Sequence, residues 1–254
     1  MGQGISAEEE AAVGYRVLGV QEKSPASGAG LVSFFDFVIA AGGSELKGMD
    51  TTFIEKIKAH EEKALECEIY NIKSRSTRTV TITPRRNWGG QGMLGVTIRF
   101  DTYYIADEQL VRVLDVEPGS PAAAAGLKAE SDYILGTAEQ AFTDSDDLSR
   151  ALLENLDRQI DVYVYNTDTD EVRVASLVPT RQWGGNGCLG ANVAHGYLHR
   201  LPARCRGTNG ISLQSEIWPV PPSQDDETPL PPGVVSAQGG HPETKGGTVH
   251  EPSS

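Results

Sequence analysis

The sequence predicts a mostly β protein with short helices, an α+β fold made of two tandem copies of one domain and a disordered Pro/Gly-rich C-terminal tail. Three observations carry this. Landmarks recur at a near-constant spacing: Ser24-Pro25 leading to Gly30-Leu31 returns 96 positions on as Ser120-Pro121 leading to Gly126-Leu127, and Trp88-Gly89-Gly90 returns 95 positions on as Trp183-Gly184-Gly185. A repeat of this length is a duplicated domain with one deletion, not a solenoid unit. Each copy also reads as short runs of β-branched and apolar residues around one amphipathic helix. From about Gly207 the composition shifts: Pro219, Pro221, Pro222, Pro229, Pro231, Pro232 and several glycines occupy a stretch without apolar periodicity. Such a stretch cannot bury enough surface to offset its ordering entropy. The expected divisions are 1–106, 107–206 and 207–254.

The elements follow in order. Tyr15–Val20 and Leu110–Val116 are strands that each end in a Ser-Pro turn, and Val38–Ala41 and Tyr133–Leu135 are short apolar strands. A helix comes next in each copy. In the first, Thr52-x-x-Glu55 has the form of a capping box, with Phe53, Ile54 and Ile57 on one face. In the second, Asp144 or Ser145 can cap, and Leu148, Leu152 and Leu156 recur every four residues. Strands at Glu66–Asn71 and Thr79–Thr83 are matched by Asp161–Asn166 and Val172–Val178, stopping at Pro84 and Pro179.

Both copies then present a glycine loop, Gly90-x-Gly92-x-x-Gly95 and its counterpart Gly185-x-Gly187-x-x-Gly190, with the spelling of a dinucleotide-binding fingerprint. That fingerprint needs a strand before the loop and a helix after it, so that the helix N-terminus meets the pyrophosphate. Here Leu94, Val96, Ile98 and Phe100 alternate with Gly95, Thr97 and Arg99, which is a strand. The nucleotide reading fails. A glycine loop between strands can still collect backbone N–H groups around an anion, and the strand that leaves it can accept an extended peptide beside the helix. The candidate peptide-binding residues are Gly92, Met93, Leu94, Gly95 and Val96 in the first copy and Gly187, Cys188, Leu189, Gly190 and Ala191 in the second. The alternative is a tight turn that binds nothing.

With Lys+Arg 22 against Asp+Glu 35, the net charge is −13. A surface this acidic repels phosphate backbones, so nucleic acid is not an expected partner. Cys67, Cys188 and Cys205 lack metal-ligand spacing, which fits a reducing compartment and no metal site or cofactor. No apolar run of about 18 residues is long enough to span a bilayer, and no signal-peptide pattern is present. His60, His195 and His199 have no nucleophile or carboxylate partner at motif spacing, so no catalytic residue is expected and the protein is read as no enzyme. Met1-Gly2-Gln-Gly-Ile-Ser6 has the pattern for N-myristoylation at Gly2. One acyl chain binds membranes weakly, with a constant on the order of 10⁴ M⁻¹. Glu8, Glu9 and Glu10 stand where a polybasic second signal would be, so a second attachment would be to protein.

The loop, strand and helix of each copy resemble a PDZ domain whose elements are circularly permuted. Two such copies after Met1-Gly2 resemble the Golgi reassembly stacking proteins. Trp88-Gly-Gly-Gln-Gly-Met-Leu-Gly-Val-Thr-Ile-Arg-Phe100, Ser131-Asp-Tyr-Ile134, Val162-Tyr-Val-Tyr-Asn-Thr-Asp-Thr-Asp170 and Gly196-Tyr-Leu-His-Arg200 carry this resemblance over residues 1–204. It implies a peripheral, lipid-anchored scaffold on the cytoplasmic face of Golgi membranes. Such a scaffold self-associates to tether or stack cisternae and binds a golgin-type coiled-coil protein and the C-terminal tails of cargo. It further implies that Tyr197, Leu198, His199 and Arg200 form a self-association segment that enters a neighbour's first groove. Where some similar proteins have a zinc-linked His/Cys pair, this chain has Arg16 and Asp101, which could instead form an ion pair. The other reading is a peptide-binding adaptor in secretory traffic, including unconventional secretion, without a tethering role.

Overall fold

The computed structural model of the chain describes residues 12–213. The chain divides after Trp218, and the unit Pro219–Ser254 lies wholly outside the described residues, as does Gly2. The first copy contains β1 (Val13–Val20), α1 (Pro25–Gly28), β2 (Asp36–Ala41), β3 (Ser44–Glu45), α2 (Thr52–Ala59), β4 (Leu65–Asn71), β5 (Ser76–Ile82) and β6 (Val96–Thr102). The second contains β7 (Val111–Val116), α3 (Pro121–Ala124), β8 (Asp132–Gly136), α4 (Ser145–Glu154), β9 (Ile160–Asn166), β10 (Glu171–Leu177) and β11 (Ala191–Ala194). Short 3-10 turns at Tyr197–His199 and Ala203–Gly207 lead to β12 (Ile211–Ser212). The mostly β architecture with short helices agrees with the sequence.

One sheet runs β5-β4-β2-β1-β6 with β3 beside β2, and the other runs β11-β7-β8-β9-β10-β12. Because strand side chains alternate between faces, each sheet serves two cores. Val17, Val38 and Ile69 point to a core closed by Phe53 of α2. Val111, Ile134, Val162 and Val164 point to the matching core under Leu148 and Leu152 of α4. The intervening residues Leu18, Phe37, Tyr133, Leu135, Tyr163 and Tyr165 meet in a third core shared by both sheets. There Phe34 packs on Tyr163 at 5.0 Å between ring centroids, and Phe35 meets Tyr165 edge-on at 4.9 Å. The two copies are therefore one packed body.

Each copy is also tied by the same buried carboxylate. Asp36 is fully buried and accepts hydrogen bonds from Val32 N–H (2.7 Å), Asn71 Nδ2 (2.6 Å) and both terminal nitrogens of Arg78 (2.9 and 2.5 Å). Asp132 repeats this with Lys128 N–H (2.8 Å), Asn166 Nδ2 (2.6 Å) and Arg173 (3.1 and 2.7 Å). A forked guanidinium on a carboxylate, with further donors to the same oxygens, satisfies a charge that burial would otherwise penalise. The hub connects three neighbouring strands and fixes their register.

The structure corrects four expectations. Thr52 does not cap α2: Asp50 Oδ1 accepts the Thr52 N–H at 2.9 Å, and Glu55 instead receives the Thr51 hydroxyl at 2.7 Å. Ile54 leaves the apolar face, at 50% exposure, because it sits one position round the helix from buried Phe53. Leu156 falls beyond α4, which ends at Glu154. Finally, residues 207–213, which composition assigns to the tail, lie on the folded body. Their apolar content is low, but their polar groups complete a network: Lys73 Nζ donates to Cys205 O (2.5 Å), Thr208 O (2.8 Å) and Thr208 Oγ1 (2.7 Å) and pairs with Asp170 at 2.8 Å. Asn71 Nδ2 reaches Asn209 O at 3.1 Å, Ser33 N–H reaches Ser212 Oγ at 2.8 Å, and β12 pairs parallel with β10.

Lys73 is fully buried, so Lys73→Met would leave three acceptors without a donor. The expected loss is about 2–4 kcal/mol, read as a lower urea midpoint. Burial alone would raise the Asp170 carboxyl pKa, but hydrogen bonds from Lys73, Thr208 and Tyr165 outweigh it and hold the group below its ordinary range. A depressed carboxylate contributes fully above its unfolded pKa of about 4 and loses that contribution as pH falls through the folded value. Wild-type stability should therefore fall more steeply below about pH 4 than that of Lys73→Met. Parallel acid profiles of the two proteins would contradict this.

Candidate functional site

The head of each candidate groove is its glycine loop, and hydrogen bonds fix which way the backbone faces. Trp88 Nε1 donates to Gly92 O at 2.9 Å, and Trp183 Nε1 donates to Gly187 O at 3.1 Å. The next carbonyls, of Met93, Leu94 and Gly95, accept from the N–H groups of Arg85, Ala26 and Gln21 at 2.9–3.0 Å. Cys188, Leu189 and Gly190 are held in the same way by Thr180, Ala122 and Glu117. With the carbonyls committed inward, the N–H groups of Met93, Leu94 and Gly95, and of their three counterparts, donate to no backbone acceptor among the described residues. Successive free amides of this kind form a concavity suited to an oxyanion.

Leu94 and Leu189 are buried in the module cores, so only their backbones can face a ligand. Gly95 is required for packing as well as conformation. Its φ is +66°, and a Cβ there would lie 2.3 Å from Ser24 Cβ and 2.6 Å from the Trp88 ring. Gly190 repeats this against Ser120 and Trp183. Ser24 and Ser120 are themselves fixed, because their hydroxyls cap the first turns of α1 and α3.

After each loop the chain enters an edge strand, β6 or β11, paired on one side only, with β1 or β7. Half-buried Val96, Ile98 and Phe100 of β6 share a cluster with Phe53 and Ile57 of α2, and Tyr15 packs against both Phe53 (5.2 Å) and Phe100 (5.3 Å). In the second copy Ala191 and Val193 of β11 share a cluster with Leu148, Ala151 and Leu152 of α4. There His195 Nδ1 lies 3.2 Å from both the N–H and the hydroxyl of Ser145, linking the end of β11 to the first turn of α4. That link and the buried Asp hubs have no motif that sequence reasoning could have caught.

The segment after β11 projects. Tyr197 and Leu198 are 62% and 84% exposed in a 3-10 turn, while His199 is half-buried. The Arg200 guanidinium lies 3.9 Å from the Tyr197 ring centroid and 3.7 Å from Glu108. Arg16 and Asp101 do form an ion pair, at 3.3 Å, with Arg16 buried and its Nε on Phe34 O. Among the described residues no cluster of His, Cys, Asp and Glu could hold a metal ion, and no helix is long and apolar enough to cross a membrane.

Two β modules, each with a Gly-x-Leu-Gly loop leading into an edge strand beside a helix, define a tandem PDZ-like protein. The chain belongs to the GRASP55/65 PDZ-like domain family, whose model matches residues 3–101 and 68–204. It is 42% identical over 206 residues to Golgi reassembly-stacking protein 1 of Homo sapiens, covering 80% of this chain and 47% of that protein. The Mus musculus protein of the same name is 41% identical over 205 residues, with 80% and 46% covered. An uncharacterized protein of Schizosaccharomyces pombe is 32% identical over 250 residues, with 93% and 71% covered. The chain thus spans about half the length of the two mammalian relatives.

The loop geometry separates two kinds of glycine. Gly95→Ala combines strain at positive φ with a collision against Ser24, and should cost about 2–4 kcal/mol. Gly92→Ala, at φ +69° in open space, should cost only about 1–2 kcal/mol. Urea titration of both variants checks the order, and equal losses would show that packing on Ser24 is not limiting.

Proposed function

We propose that this protein is a peripheral scaffold of Golgi membranes, without catalytic activity, held on the cytoplasmic face by a myristoyl group on Gly2. Its two grooves, headed by Gly92–Val96 and Gly187–Ala191, take peptides from a golgin-type protein and from the C-terminal tails of cargo. Its projecting segment, Tyr197 to Arg200, enters the first groove of a second copy and so tethers cisternae. One observation carries this reading: half-buried apolar side chains of edge strand β6 and α2 and an exposed Tyr197-Leu198 knob are present in the same packed body. A knob meeting a groove is a head-to-tail contact, which can chain molecules as well as pair them. The names of the mammalian relatives support the Golgi assignment.

The energetics suit a weak contact repeated many times. Covering Tyr197 and Leu198 supplies about 2–3 kcal/mol each at most, and linked contacts between two membranes add up beyond any single affinity. Golgin binding would proceed without the zinc-linked pair, since Arg16 and Asp101 occupy those places as an ion pair.

Two outcomes are expected. Leu198→Asp puts a charge where an apolar side chain must be buried and should abolish clustering of beads coated with the protein, at a cost of several kcal/mol, about 3 or more. If mutant and wild-type beads cluster equally, the contact lies elsewhere and an adaptor without a tethering role becomes the better account. Gly2→Ala should move the protein from the membrane pellet to the soluble fraction. A variant that stays in the pellet would show that the acyl chain is not needed.

A further inference from the structure

The chain contains two Asn-Gly steps, Asn186-Gly187 and Asn209-Gly210, and the fold treats them in opposite ways. Such a step is chemically labile. The backbone nitrogen after an asparagine can attack the side-chain amide carbon, and glycine, with no Cβ, leaves that nitrogen unshielded. The first product is a five-membered succinimide ring.

Asn209 is held on both sides. Its Oδ1 accepts the Ser74 hydroxyl at 2.7 Å, and its carbonyl accepts Asn71 Nδ2 at 3.1 Å. One residue beyond Gly210, the Ile211 N–H donates to Asp170 O at 3.0 Å. Cyclisation there must first break contacts that pin the segment to the folded body. Asn186, by contrast, is exposed, and its side chain makes no hydrogen bond among the described residues. Gly187 is exposed too, and its N–H donates to no backbone acceptor among the described residues. A Cβ built on Gly187 would meet nothing within 4 Å, so the ring has room to form. The first copy differs at this position. Gln91 stands where the second copy has Asn186, and its longer side chain would have to close a six-membered ring, a slower reaction.

We propose that Asn186 is a site of spontaneous deamidation, which converts the second glycine loop to an acidic form and leaves the first unchanged. The Gly187 nitrogen gives its proton to solvent hydroxide and bonds to Asn186 Cγ. The Cγ–Nδ2 bond then breaks, and the amide takes up a proton and leaves as ammonia. Water opens the succinimide at either carbonyl, giving aspartate or isoaspartate. Neither an oxidant nor an enzyme takes part. Both products place a carboxylate in the cavity of about 430 Å³ that Asn186 and Gly187 share with Arg181, the one charged residue lining it. Isoaspartate also adds a methylene to the backbone between Trp183 and Gly187. The bond from Trp183 Nε1 to Gly187 O closes that stretch at 3.1 Å, and the longer backbone releases it. None of this depends on what the groove binds.

The test incubates the full chain at neutral pH in heavy-oxygen water and follows both steps by digestion and mass spectrometry. Isoaspartate is read separately by enzymatic methyl labelling. Asn186 should convert at least about tenfold faster than Asn209, because each hydrogen bond that must open slows the reaction at Asn209. In urea, where those bonds are gone, the two rates should be similar. Ser74→Ala should speed conversion of Asn209 and leave Asn186 unchanged. As isoaspartate accumulates, the indole N–H resonance of Trp183 should move while that of Trp88 stays in place. Asn186→Gln should abolish both the label at this position and the Trp183 shift. Equal native rates at the two steps, or slower conversion at Asn186, overturn the proposal. The same ratio of rates in urea as in the native protein overturns it too, since neighbouring sequence and not the fold would then set them. A converted Asn186 with an unmoved Trp183 resonance overturns the effect on the loop.

Discussion

The ammonium of Lys73 lies in the turn between β4 and β5 of the first copy, yet its partners belong to the second copy and to the segment after it. A buried cation must find acceptors or lose several kcal/mol, about 3–5 when a partner is removed. Here Asp170, the carbonyls of Cys205 and Thr208 and the face of the Tyr165 ring supply them. The same contacts fix the β9–β10 turn against the β4–β5 turn and hold residues 205–212 on both sheets. The shared aromatic core packs the two copies against each other. The charged network adds hydrogen bonds of fixed direction.

This constraint reaches the grooves. Each groove lies beside its module core, while the opposite faces of strands such as β1, β2, β8 and β9 build the shared core. Leu18 on the inner side is followed two positions later by Val20, which points to the module core beneath the loop of Leu94. Gln21 then donates its N–H to Gly95 O. A shift of the two sheets against one another would therefore disturb the backbone that aims the loop amides. The Asp36 and Asp132 hubs resist such shifts within each module by holding three strands on one carboxylate.

Much of this was legible in the sequence because it depended on local pattern. The duplication, the strands, the two helices and the loop-then-strand order all follow from spacing and period. The Arg16–Asp101 contact was legible through the resemblance alone, which sets the two residues where some similar proteins have a His/Cys pair. What was hidden depended on partners distant in sequence. Tyr163 and Tyr165 read as ordinary strand residues and Phe34 and Phe35 fell outside every expected element, and only the fold brings the four rings together. Residues 207–213 looked like tail because composition measures apolar burial, whereas these residues are held through backbone carbonyls and hydroxyls. Ile54 was misplaced because neighbouring helix positions lie about 100° apart, so it cannot share the face of buried Phe53.

The reach of the C-terminal segment back to Lys73 has a consequence for how the molecule comes apart. Ancestral repeats that only touch can melt one at a time, each with its own midpoint. Here the second copy and the strand beyond it complete the polar interior of the first, and the first supplies half of the aromatic layer on which the second rests. Each copy has its own module core, but both lose the shared aromatic layer and the Lys73 network once the other opens. The shared layer and the Lys73 network couple the stability of the two copies.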